Sequence, residues 1–186
     1  SVTACPGKID LAVISVPAKF VSSVVDDCIK AEVKAIILIS AGFAETGKEG
    51  KILQDEIFKK IRKKGIRMEG PNFKGLLNAS PDISLNASFS LMIPPFGNVA
   101  MSSQSGALGL AVITHAKKLN IGISSFVSVG NKADVSGNDL LQYWEYDDET
   151  KVILSAGGSI NAGRVLTVRV SGNITAIGSS AERLVR

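Results

Sequence analysis

The stretch Gly97–Gly109, Gly-Asn-Val-Ala-Met-Ser-Ser-Gln-Ser-Gly-Ala-Leu-Gly, joins an apolar strand to a helix through a turn of hydroxyls, an amide and glycine. The first N–H groups of such a helix lack intrahelical acceptors, and the helix dipole adds about half a positive charge at that end. A phosphate or a carboxylate fits there. The stretch therefore predicts an anion site, with a plain serine N-cap as the alternative. Ser103 and Ser105 can supply hydroxyl donors, while Gly106 and Gly109 keep the backbone accessible and let the helix pack close to its strand.

Length and composition limit the classes of protein to which the chain can belong. The chain has 186 residues, of which 45% are hydrophobic and 20% are charged, as in soluble globular proteins of one domain or two small ones. No run of about 18 apolar residues is present to cross a membrane, and the first residues lack the pattern of a signal peptide. Cys5 and Cys28 fit neither a disulfide framework nor a zinc spacing, which indicates a reducing compartment. We expect a cytoplasmic protein with no membrane partner and no metal site.

Much of the net charge of +4 lies in one basic cluster on a predicted helix. The apolar residues Leu53, Ile57, Phe58 and Ile61 recur at three- and four-residue spacing, so the basic side chains fall largely on the outer face of that helix. Aromatic stacking residues do not alternate with them, which favours a solvated helix face over a nucleic-acid surface. The basic residues are Lys59, Lys60, Arg62, Lys63 and Lys64.

Hydrophobic runs alternate with amphipathic stretches along the chain. Strands this apolar are usually buried on both faces, and their alternation with helices predicts an α/β architecture with parallel sheets. Predicted strands cover 9–16, 33–40, 66–68, 98–101, 121–129 and 151–154, and predicted helices cover 21–31, 50–64, 105–119 and 137–146. The stretch 79–96 contains Pro81, Pro94 and Pro95 with little periodicity, and it predicts a linker between domains 1–78 and 97–186.

Ligands of open parallel sheets bind beyond the carboxyl ends of the strands. The turns at these ends hold nearly all the unusual residues of the chain, so we expect the functional residues there. Beyond residue 154 the pattern is weaker: Arg164–Val170 fits a strand or a short helix, and Asn173–Ile177 fits a final strand. The turns of interest follow Val16, Ser40, Met68, Met101 and Val129.

Taken in order, the motifs at these turns resemble the NDP-forming acyl-CoA synthetases, relatives of succinyl-CoA synthetase that include ADP-forming acetate–CoA ligases. The resemblance spans roughly residues 8–154, and its specificity comes from the motifs occurring together in a fixed order. The motifs are Ile14-Ser15-Val16-Pro17-Ala18, Ser40-Ala41-Gly42-Phe43-Ala44-Glu45-Thr46-Gly47, Gly70-Pro71-Asn72 with Gly75 and Asn78, Ser103-Gln104-Ser105-Gly106-Ala107-Leu108-Gly109, and Gly130-Asn131-Lys132-Ala133-Asp134 with Asp139-Leu140-Leu141.

The resemblance implies the C-terminal part of a Rossmann-like CoA-binding domain followed by a flavodoxin-like domain of the succinyl-CoA synthetase type. It also implies an acid–thiol ligase in which phosphate attacks an acyl-CoA to give acyl phosphate and free CoA. A histidine then takes the phosphoryl group, and an ATP-grasp domain or subunit passes it to ADP or GDP. ADP or GDP, with Mg, would be bound only by that module outside this sequence, and an oligomer is expected. Phosphoryl transfer asks a protein mainly for positioning and charge stabilisation, which a helix terminus can supply.

By the same resemblance, one turn binds phosphate, two turns border coenzyme A, and two asparagines are possible substrate contacts. The implied phosphate-binding residues are Ser103, Gln104, Ser105 and Gly106. Purely local roles are the alternatives: Pro17 can end a strand, and Gly42 can relieve a tight turn. Asn72 can bond its own backbone, Asn131 and Asp134 can form a loop with a helix cap, and Glu45 can orient a substrate or be a surface carboxylate. The implied CoA residues are Val16, Pro17, Ala18, Ser40, Ala41, Gly42 and Phe43, and the possible substrate contacts are Asn72 and Asn131.

The sequence also departs from the family pattern. The family's Gly-rich CoA turn has no counterpart here, so we expect the chain to start partway into that domain. Phe73 and Lys74 replace small or apolar residues of the motif Gly-Pro-Asn-Cys-X-Gly, and Gly158 stands where relatives carry a glutamate. The only histidine, His115, lies on the predicted helix about 15 Å from its anion-binding end, at a rise of 1.5 Å per residue. We predict that His115 is a packing or surface residue, and we assign no catalytic residue.

Two functions from different classes follow. In the first, the chain is a piece or subunit of the ligase, with the phosphorylated histidine and the ATP-grasp module on other sequence. In the second, it is a non-catalytic module of the same descent that binds CoA or acyl-CoA, or docks a partner. A flavodoxin-like domain whose anion site binds something unrelated is a third, weaker alternative.

Overall fold

The computed structural model describes residues 1–156 and 175–177. These residues divide into two compact units. The first unit consists of Ser1–Phe73 together with the returning segment Gly130–Val135, and the second consists of Lys74–Val129 and the described residues from Ser136 onward. The sequence predictions at Gly158 and Arg164–Val170 lie outside the described residues, as does the start of the predicted strand Asn173–Ile177.

The first unit contains a parallel three-stranded sheet in the order β1-β2-β3. Ile14 of β1 is in register with Leu38 of β2, and Ile36 of β2 with Met68 of β3. The elements in chain order are a short 3-10 helix Val2–Ala4, β1 Leu11–Ile14, α1 Ala18–Lys30, β2 Ala35–Leu38, a second 3-10 helix Ala44–Thr46, α2 Lys48–Arg62 and β3 Arg67–Glu69.

Helical spacing of apolar residues explains how α1 and α2 contribute to the core of the first unit. Val21, Val25 and Cys28 of α1 recur at four- and three-residue spacing and are fully buried, so one stripe of the helix faces the core. Ile57 and Ile61 do the same on α2. The basic cluster is mostly exposed, as predicted. Its partly buried member Lys60 donates to Asp26 of α1 at 2.9 Å.

The second unit contains a six-stranded mixed sheet in the order β5-β4-β7-β6-β8-β9. Strands β7, β6, β8 and β9 are parallel, whereas β4 is antiparallel to both of its neighbours. The elements are β4 Gly75–Asn78, β5 Leu85–Ser88, β6 Val99–Ser103, α3 Gly106–Lys118, β7 Ile123–Ser128, α4 Gly137–Glu145, β8 Val152–Ala156 and β9 Thr175–Ile177. All six residues of β7 are buried, as expected of a strand covered on both faces.

The structure differs from the sequence prediction between residues 75 and 96. Leu85–Ser88, predicted as part of a linker, forms strand β5, and it pairs with β4, predicted to belong to the first domain. Strands of four residues with a half-exposed pattern carry too little alternation to be recognised in sequence. Gly75 permits the pairing, because a Cβ there would lie 2.1 Å from the Cα of Ser88. The fold is therefore α/β with parallel sheets, as predicted, plus an antiparallel pair at one edge.

Candidate functional site

The turns after β1 and β2 are tied together by the side chain of Ser40. The backbone N–H of Val16 donates to Ser40 Oγ at 3.1 Å, and the Ser40 hydroxyl donates back to the carbonyl of Val16. A short side chain that both donates and accepts can bridge two neighbouring strand ends in this way. The two predicted CoA turns are therefore adjacent at the carboxyl edge of the first sheet.

Gly42 lies in close contact with the start of α1. Its φ is +103°, a backbone conformation that favours glycine, and a Cβ built on it would lie 3.0 Å from the Cβ of Ala18. Glycine is thus required here for both conformation and space. Pro17, the residue before Ala18, is the N-cap of α1, so its role in ending the strand pattern is present as well.

The side chain of Phe43 does not face the turn that is predicted to border CoA. Its side chain is fully buried in the core of the first unit, so only its backbone can face the turn. A large aromatic side chain contributes more to stability inside the core than at a solvated edge. The sequence prediction that Phe43 borders CoA is restricted to its main chain.

Asn72 joins the same edge from the end of β3. Its backbone N–H donates to the carbonyl of Ser40 at 2.9 Å, and its φ is +56°, a conformation that asparagine tolerates better than most residues. The side chain of Asn72 is partly exposed. The first unit therefore places Asn72 beside the predicted CoA turn.

The returning segment Gly130–Val135 places Asn131 near the same turn. Its backbone follows residues 68–71: Asn131 N donates to the carbonyl of Pro71 at 2.9 Å, and Val135 N to that of Met68 at 3.3 Å. The side-chain amide of Asn131 donates to Glu45 Oε2 and, at 3.1 Å, to Gln54 Oε1. Residues far apart in sequence thus meet at one edge of a small sheet.

Asp134 holds the other end of the returning segment. Its carboxylate accepts from Arg67 Nε and from the backbone N–H of Met68, both at 2.9 Å, and its side chain is 3% exposed. The alternative in which Asp134 caps the following helix is therefore wrong. Helix α4 begins instead with a capping box, in which Ser136 and Asp139 satisfy each other's backbone donors.

Glu45 and Gln54 are part of this cluster, although the sequence did not assign them to it. Glu45 Oε1 accepts from the backbone N–H of Gly42 at 2.6 Å and of Phe43 at 3.2 Å. Desolvation acts to raise the pKa of Glu45, but the hydrogen bonds from Asn131, Gly42 and Phe43 outweigh it and lower the pKa overall. Gln54 is 5% exposed on α2. The one sequence signal for Gln54 was a polar residue at a helical position whose spacing predicts burial.

The predicted phosphate turn lies in the second unit. Its geometry is compatible with both interpretations of its serines, a helix cap and an anion site. Ser105 is the N-cap of α3, and its Oγ accepts from Leu108 N at 3.3 Å, which leaves its hydroxyl hydrogen free to donate to a ligand. Ser103 is buried, and its hydroxyl donates to the carbonyl of Ser105 at 2.8 Å. The hydroxyl of Ser105 is therefore the better donor for an anion, and Ser103 shapes the turn.

The glycines of this turn serve two different contacts. A Cβ on Gly109 would lie 2.5 Å from the ring of Phe126 on β7, so this glycine lets α3 pack closely on its sheet, as predicted. A Cβ on Gly106 would instead lie 2.0 Å from Cγ of Lys74. The aliphatic part of Lys74 therefore crosses the first residue of the helix, and its ammonium lies 5.5 Å from the centre of the Phe89 ring.

His115 is exposed on α3, among the residues that face away from the sheet. The buried positions of this helix are Gly106, Gly109, Ile113 and Ala116. His115 is thus a surface residue, one of the two roles predicted for it. Within residues 1–156 and 175–177, no group of three or more His, Cys, Asp or Glu side chains is arranged to hold a metal ion. No helix in that part of the chain is long and apolar enough to cross a membrane.

Two family models match the chain. The model of the CoA binding domain matches residues 1–42, and the model of the succinyl-CoA ligase like flavodoxin domain matches residues 96–171. The first match covers the Val16–Ala18 turn and the second turn as far as Gly42. The second match covers the Ser103–Gly109 turn and α3.

Similar proteins include archaeal ligases. The chain is 43% identical over 164 residues to the alpha subunit of acetate–CoA ligase (ADP-forming) II of Pyrococcus furiosus, and 42% identical over 164 residues to acetate–CoA ligase (ADP-forming) I of Archaeoglobus fulgidus. Each alignment covers 88% of this chain but only 35% and 24% of the respective relative. The chain thus spans about a quarter to a third of the length of these relatives.

A solved structure shows the same fold. The acetyl-coenzyme A synthetase 1 of Candidatus Korarchaeum cryptofilum, solved in complex with phosphate and ADP, superposes with a TM-score of 0.80 at 45% sequence identity. The match covers 87% of this chain and 34% of that chain. The sequence and structural similarities therefore agree on the same group of proteins.

Proposed function

Because the chain belongs to the NDP-forming acyl-CoA synthetase family, we propose that it supplies part of the CoA site and the phosphate-binding helix terminus of an acid–thiol ligase. Such a ligase interconverts acyl-CoA, phosphate and NDP with carboxylic acid, CoA and NTP. The observation that carries the proposal is the meeting of Val16, Ser40 and Asn72 at one sheet edge, through direct hydrogen bonds. Ligands of open parallel sheets bind at such edges.

The edge of the first unit is built for a ligand that approaches the backbone closely. Gly42 and Ala18 present little side chain, and Ala41 between the two fixed residues Ser40 and Gly42 is exposed. Hydrogen bonds within the turn hold its shape before any ligand arrives, so binding CoA costs less conformational entropy. We assign the main chain of Ser40–Phe43 and the Val16–Ala18 turn to CoA, and Asn72 to a contact near it.

The start of α3 is assigned to the phosphate that attacks the acyl-CoA. The backbone N–H groups of Gly106 and Ala107 lie in the first turn of the helix, where intrahelical acceptors are lacking. The Ser105 hydroxyl supplements them. Donors fixed before the reaction stabilise the negative charge that develops during phosphoryl transfer, with no reorganisation at that moment.

The remaining chemistry is assigned to other polypeptide or other domains. The only histidine of the sequence is His115, which lies on the exposed side of α3, so we assign the phosphoryl-accepting histidine elsewhere. The nucleotide, ADP or GDP, would bind an ATP-grasp domain or subunit, and the ligase would be an oligomer of such parts. Acetate, the substrate named for several relatives, is the first acid to test.

Titration of the isotope-labelled protein, first with CoA and then with inorganic phosphate, tests the proposal. CoA is expected to shift the amide resonances of Val16, Ala18 and residues 40–43, and phosphate those of residues 105–107. Replacing Ser105 with glutamate puts a negative charge at the helix terminus and should abolish the phosphate shifts, because like charges repel. Thr114→Ala removes a hydroxyl further along α3, which donates to Leu110 O, and serves as the control. Unchanged resonances of Val16, Ala18 and residues 40–43 at saturating CoA would refute the CoA assignment.

The exposed position of His115 also supports a second candidate, a non-catalytic module that binds CoA or acyl-CoA. Incubation with acetyl phosphate distinguishes the two. Neither function predicts phosphorylation of His115, so a mass increase of that residue would contradict both assignments. Recovery of ligase activity after adding the polypeptide that carries the phosphorylated histidine and an ATP-grasp subunit, with its nucleotide and magnesium, would favour the ligase over the non-catalytic module.

A further inference from the structure

Glu45 connects two parts of the chain that the sequence assigned separately to ligand binding. One carboxylate oxygen accepts from the N–H groups of Gly42 and Phe43, and the other accepts from the side chain of Asn131, 86 residues away in sequence. Successive backbone N–H groups pointing at one acceptor form an anion-binding nest. In this chain the anion that fills the nest is a side chain of the protein itself.

The orientation of the Asn131 amide follows from its two neighbours. An ionised carboxylate can only accept hydrogen bonds, so the NH₂ group of Asn131 must face Glu45. The second hydrogen of this NH₂ donates to Gln54 Oε1 at 3.1 Å, and the same Gln54 oxygen accepts from Ala44 N at 3.3 Å. Both amide hydrogens of Asn131 are therefore used. Its oxygen Oδ1 is the group left to meet a ligand, and it can only accept.

The backbone of Asn131 is held independently of Glu45. Hydrogen bonds join the returning segment to Pro71 and Met68, and the buried carboxylate of Asp134 accepts from Met68 and Arg67 at its far end. A change at Glu45 should therefore free the side chain of Asn131 without releasing the segment. A substitution at Glu45 can therefore change the orientation of the Asn131 amide while the returning segment stays bound to the first unit.

We propose that Glu45 is a positioning residue that fixes the Ser40–Phe43 turn and holds Asn131 with its oxygen directed to accept an N–H donor of CoA. The inference rests on the proposed function, because it takes CoA as the ligand of this turn. Amide N–H groups of the pantetheine arm and the amino group of adenine are the N–H donors that CoA offers. A phosphate or carboxylate does not fit Asn131 in this orientation, so Asn131 contacts the organic part of CoA rather than its phosphates.

A double-mutant cycle on the whole chain tests this arrangement by exchanging donor and acceptor. In the wild type the NH₂ group of Asn131 faces the carboxylate of Glu45. Glu45→Gln puts two NH₂ groups opposite each other, and Asn131→Asp puts two carboxylates opposite each other. Each single variant is expected to bind CoA about tenfold more weakly by calorimetry, as for loss of a hydrogen bond to a charged group. The double variant pairs a Gln NH₂ with an Asp carboxylate and keeps an oxygen for the ligand. It should bind CoA more tightly than either single variant, while the loss of the N–H donor to Gln54 Oε1 keeps it weaker than the wild type.

Glu49→Gln is the matched control, since it removes the same charge from an exposed position in the first turn of α2. Its CoA affinity should equal that of the wild type. Single variants that bind CoA like the wild type, or a double variant that is weaker than both singles, would overturn the inference while leaving CoA binding intact. If the wild type itself does not bind CoA, the proposed function fails instead.

If the wild type does not bind CoA, the positioning role of Glu45 is tested without ligand. The side-chain NH₂ resonances of Asn131 and the amide of Gly42 should shift together as Glu45 is titrated with acid. They should lose this common step in Glu45→Gln and keep it in Glu49→Gln. Independent titration of the two groups in the wild type would overturn the positioning role.

Discussion

The two candidate sites are built in opposite ways. In the first unit, the edge is assembled from the ends of β1, β2 and β3 and from the returning segment, and side chains such as Ser40 and Glu45 tie these pieces together. In the second unit, the anion turn is a single continuous stretch whose caps and contacts lie within a few residues of Ser105. The first site therefore depends on long-range contacts, whereas the second is mostly a local structure placed on a sheet.

The largest expected effect is at Gly50, where the assembled site is most crowded. A Cβ there would lie 2.0 Å from the carbonyl oxygen of Phe43, which already accepts from Thr46 N and Thr46 Oγ1 and cannot move freely. Gly50→Ala should destabilise the first unit by about 3 kcal/mol, at the upper end for overpacking, even though alanine favours a helix. Hydrogen exchange of peptides from β1–β3 and from β6–β7 measures the two units separately.

Gly137→Ala is the control for this substitution, because a Cβ at the start of α4 would meet nothing within 4 Å. It should be neutral or stabilising by up to about 1 kcal/mol. Equal losses from Gly50→Ala and Gly137→Ala would show that the crowded contact has no special cost. Faster exchange in β6–β7 than in β1–β3 after Gly50→Ala would contradict the assignment of that contact to the first unit.

The next effect compares two glycines of the local site. Gly109→Ala places a methyl 2.5 Å from the buried ring of Phe126, and the expected net loss is about 1–2 kcal/mol after the gain in helix propensity. Gly106→Ala places a methyl 2.0 Å from Cγ and 2.5 Å from Cβ of Lys74, and because Cβ is fixed to the backbone, this variant should lose at least as much stability. Thermal or urea unfolding of the two variants measures both losses, and a wild-type stability of Gly106→Ala would contradict the crowding at Lys74.

A smaller effect is expected from the cap itself. Ser105→Ala removes the acceptor of Leu108 N and should cost about 1 kcal/mol, with its effect confined to α3 and its surroundings. Thr114→Ala removes a hydroxyl of the same helix that donates to Leu110 O and should change stability less. Amide exchange at residues 106–109 reports the loss. Protection there that stays unchanged would argue that Ser105 does not cap the helix in solution.

The smallest expected effect is a pH dependence of the first unit. Because hydrogen bonds lower the pKa of Glu45 below its ordinary value of 4.5, its ionised form stabilises the folded state. That contribution is complete above about pH 4.5 and is lost as the pH falls through the lowered value in the folded protein. Acid should therefore destabilise the first unit more in the wild type than in Glu45→Gln, as followed by urea unfolding between neutral pH and pH 3. Parallel pH profiles for the two proteins would contradict this sign.

The sequence predicted much of the local structure because that structure repeats short-range patterns. The apolar spacing of α1 and α2 and the uninterrupted hydrophobicity of β2 and β7 gave the elements and the α/β class. The Ser103–Gly109 turn was equally predictable, since capping residues and glycines lie next to the helix they start. Strand β5 was missed, because Leu85–Ser88 is short and its burial is set by pairing with β4 rather than by its own residues.

The candidate site of the first unit was predicted only in its parts. The motifs named Ser40, Asn72 and Asn131, but no local pattern shows that Asn72 N reaches Ser40 O, or that the chain returns at Gly130–Val135 to the unit it had left. Glu45 looked like an ordinary loop carboxylate because its partners Gly42 and Asn131 are, respectively, a backbone group and a distant side chain. Phe43 looked available for a ligand, and only packing revealed that its ring is in the core.

The sequence by itself determined the resemblance to the family and the alternation of strands and helices, and it predicted an anion site at the start of α3. These follow from the chemistry of neighbouring residues, which acts over a few ångströms of continuous chain. Only the tertiary structure decided which hydroxyl of the serine turn is free, where Lys74 passes, and that Glu45 holds Asn131 beside the Ser40–Phe43 turn. Those outcomes depend on hydrogen bonds and contacts between segments that meet only after folding, so no single stretch of the chain encodes them.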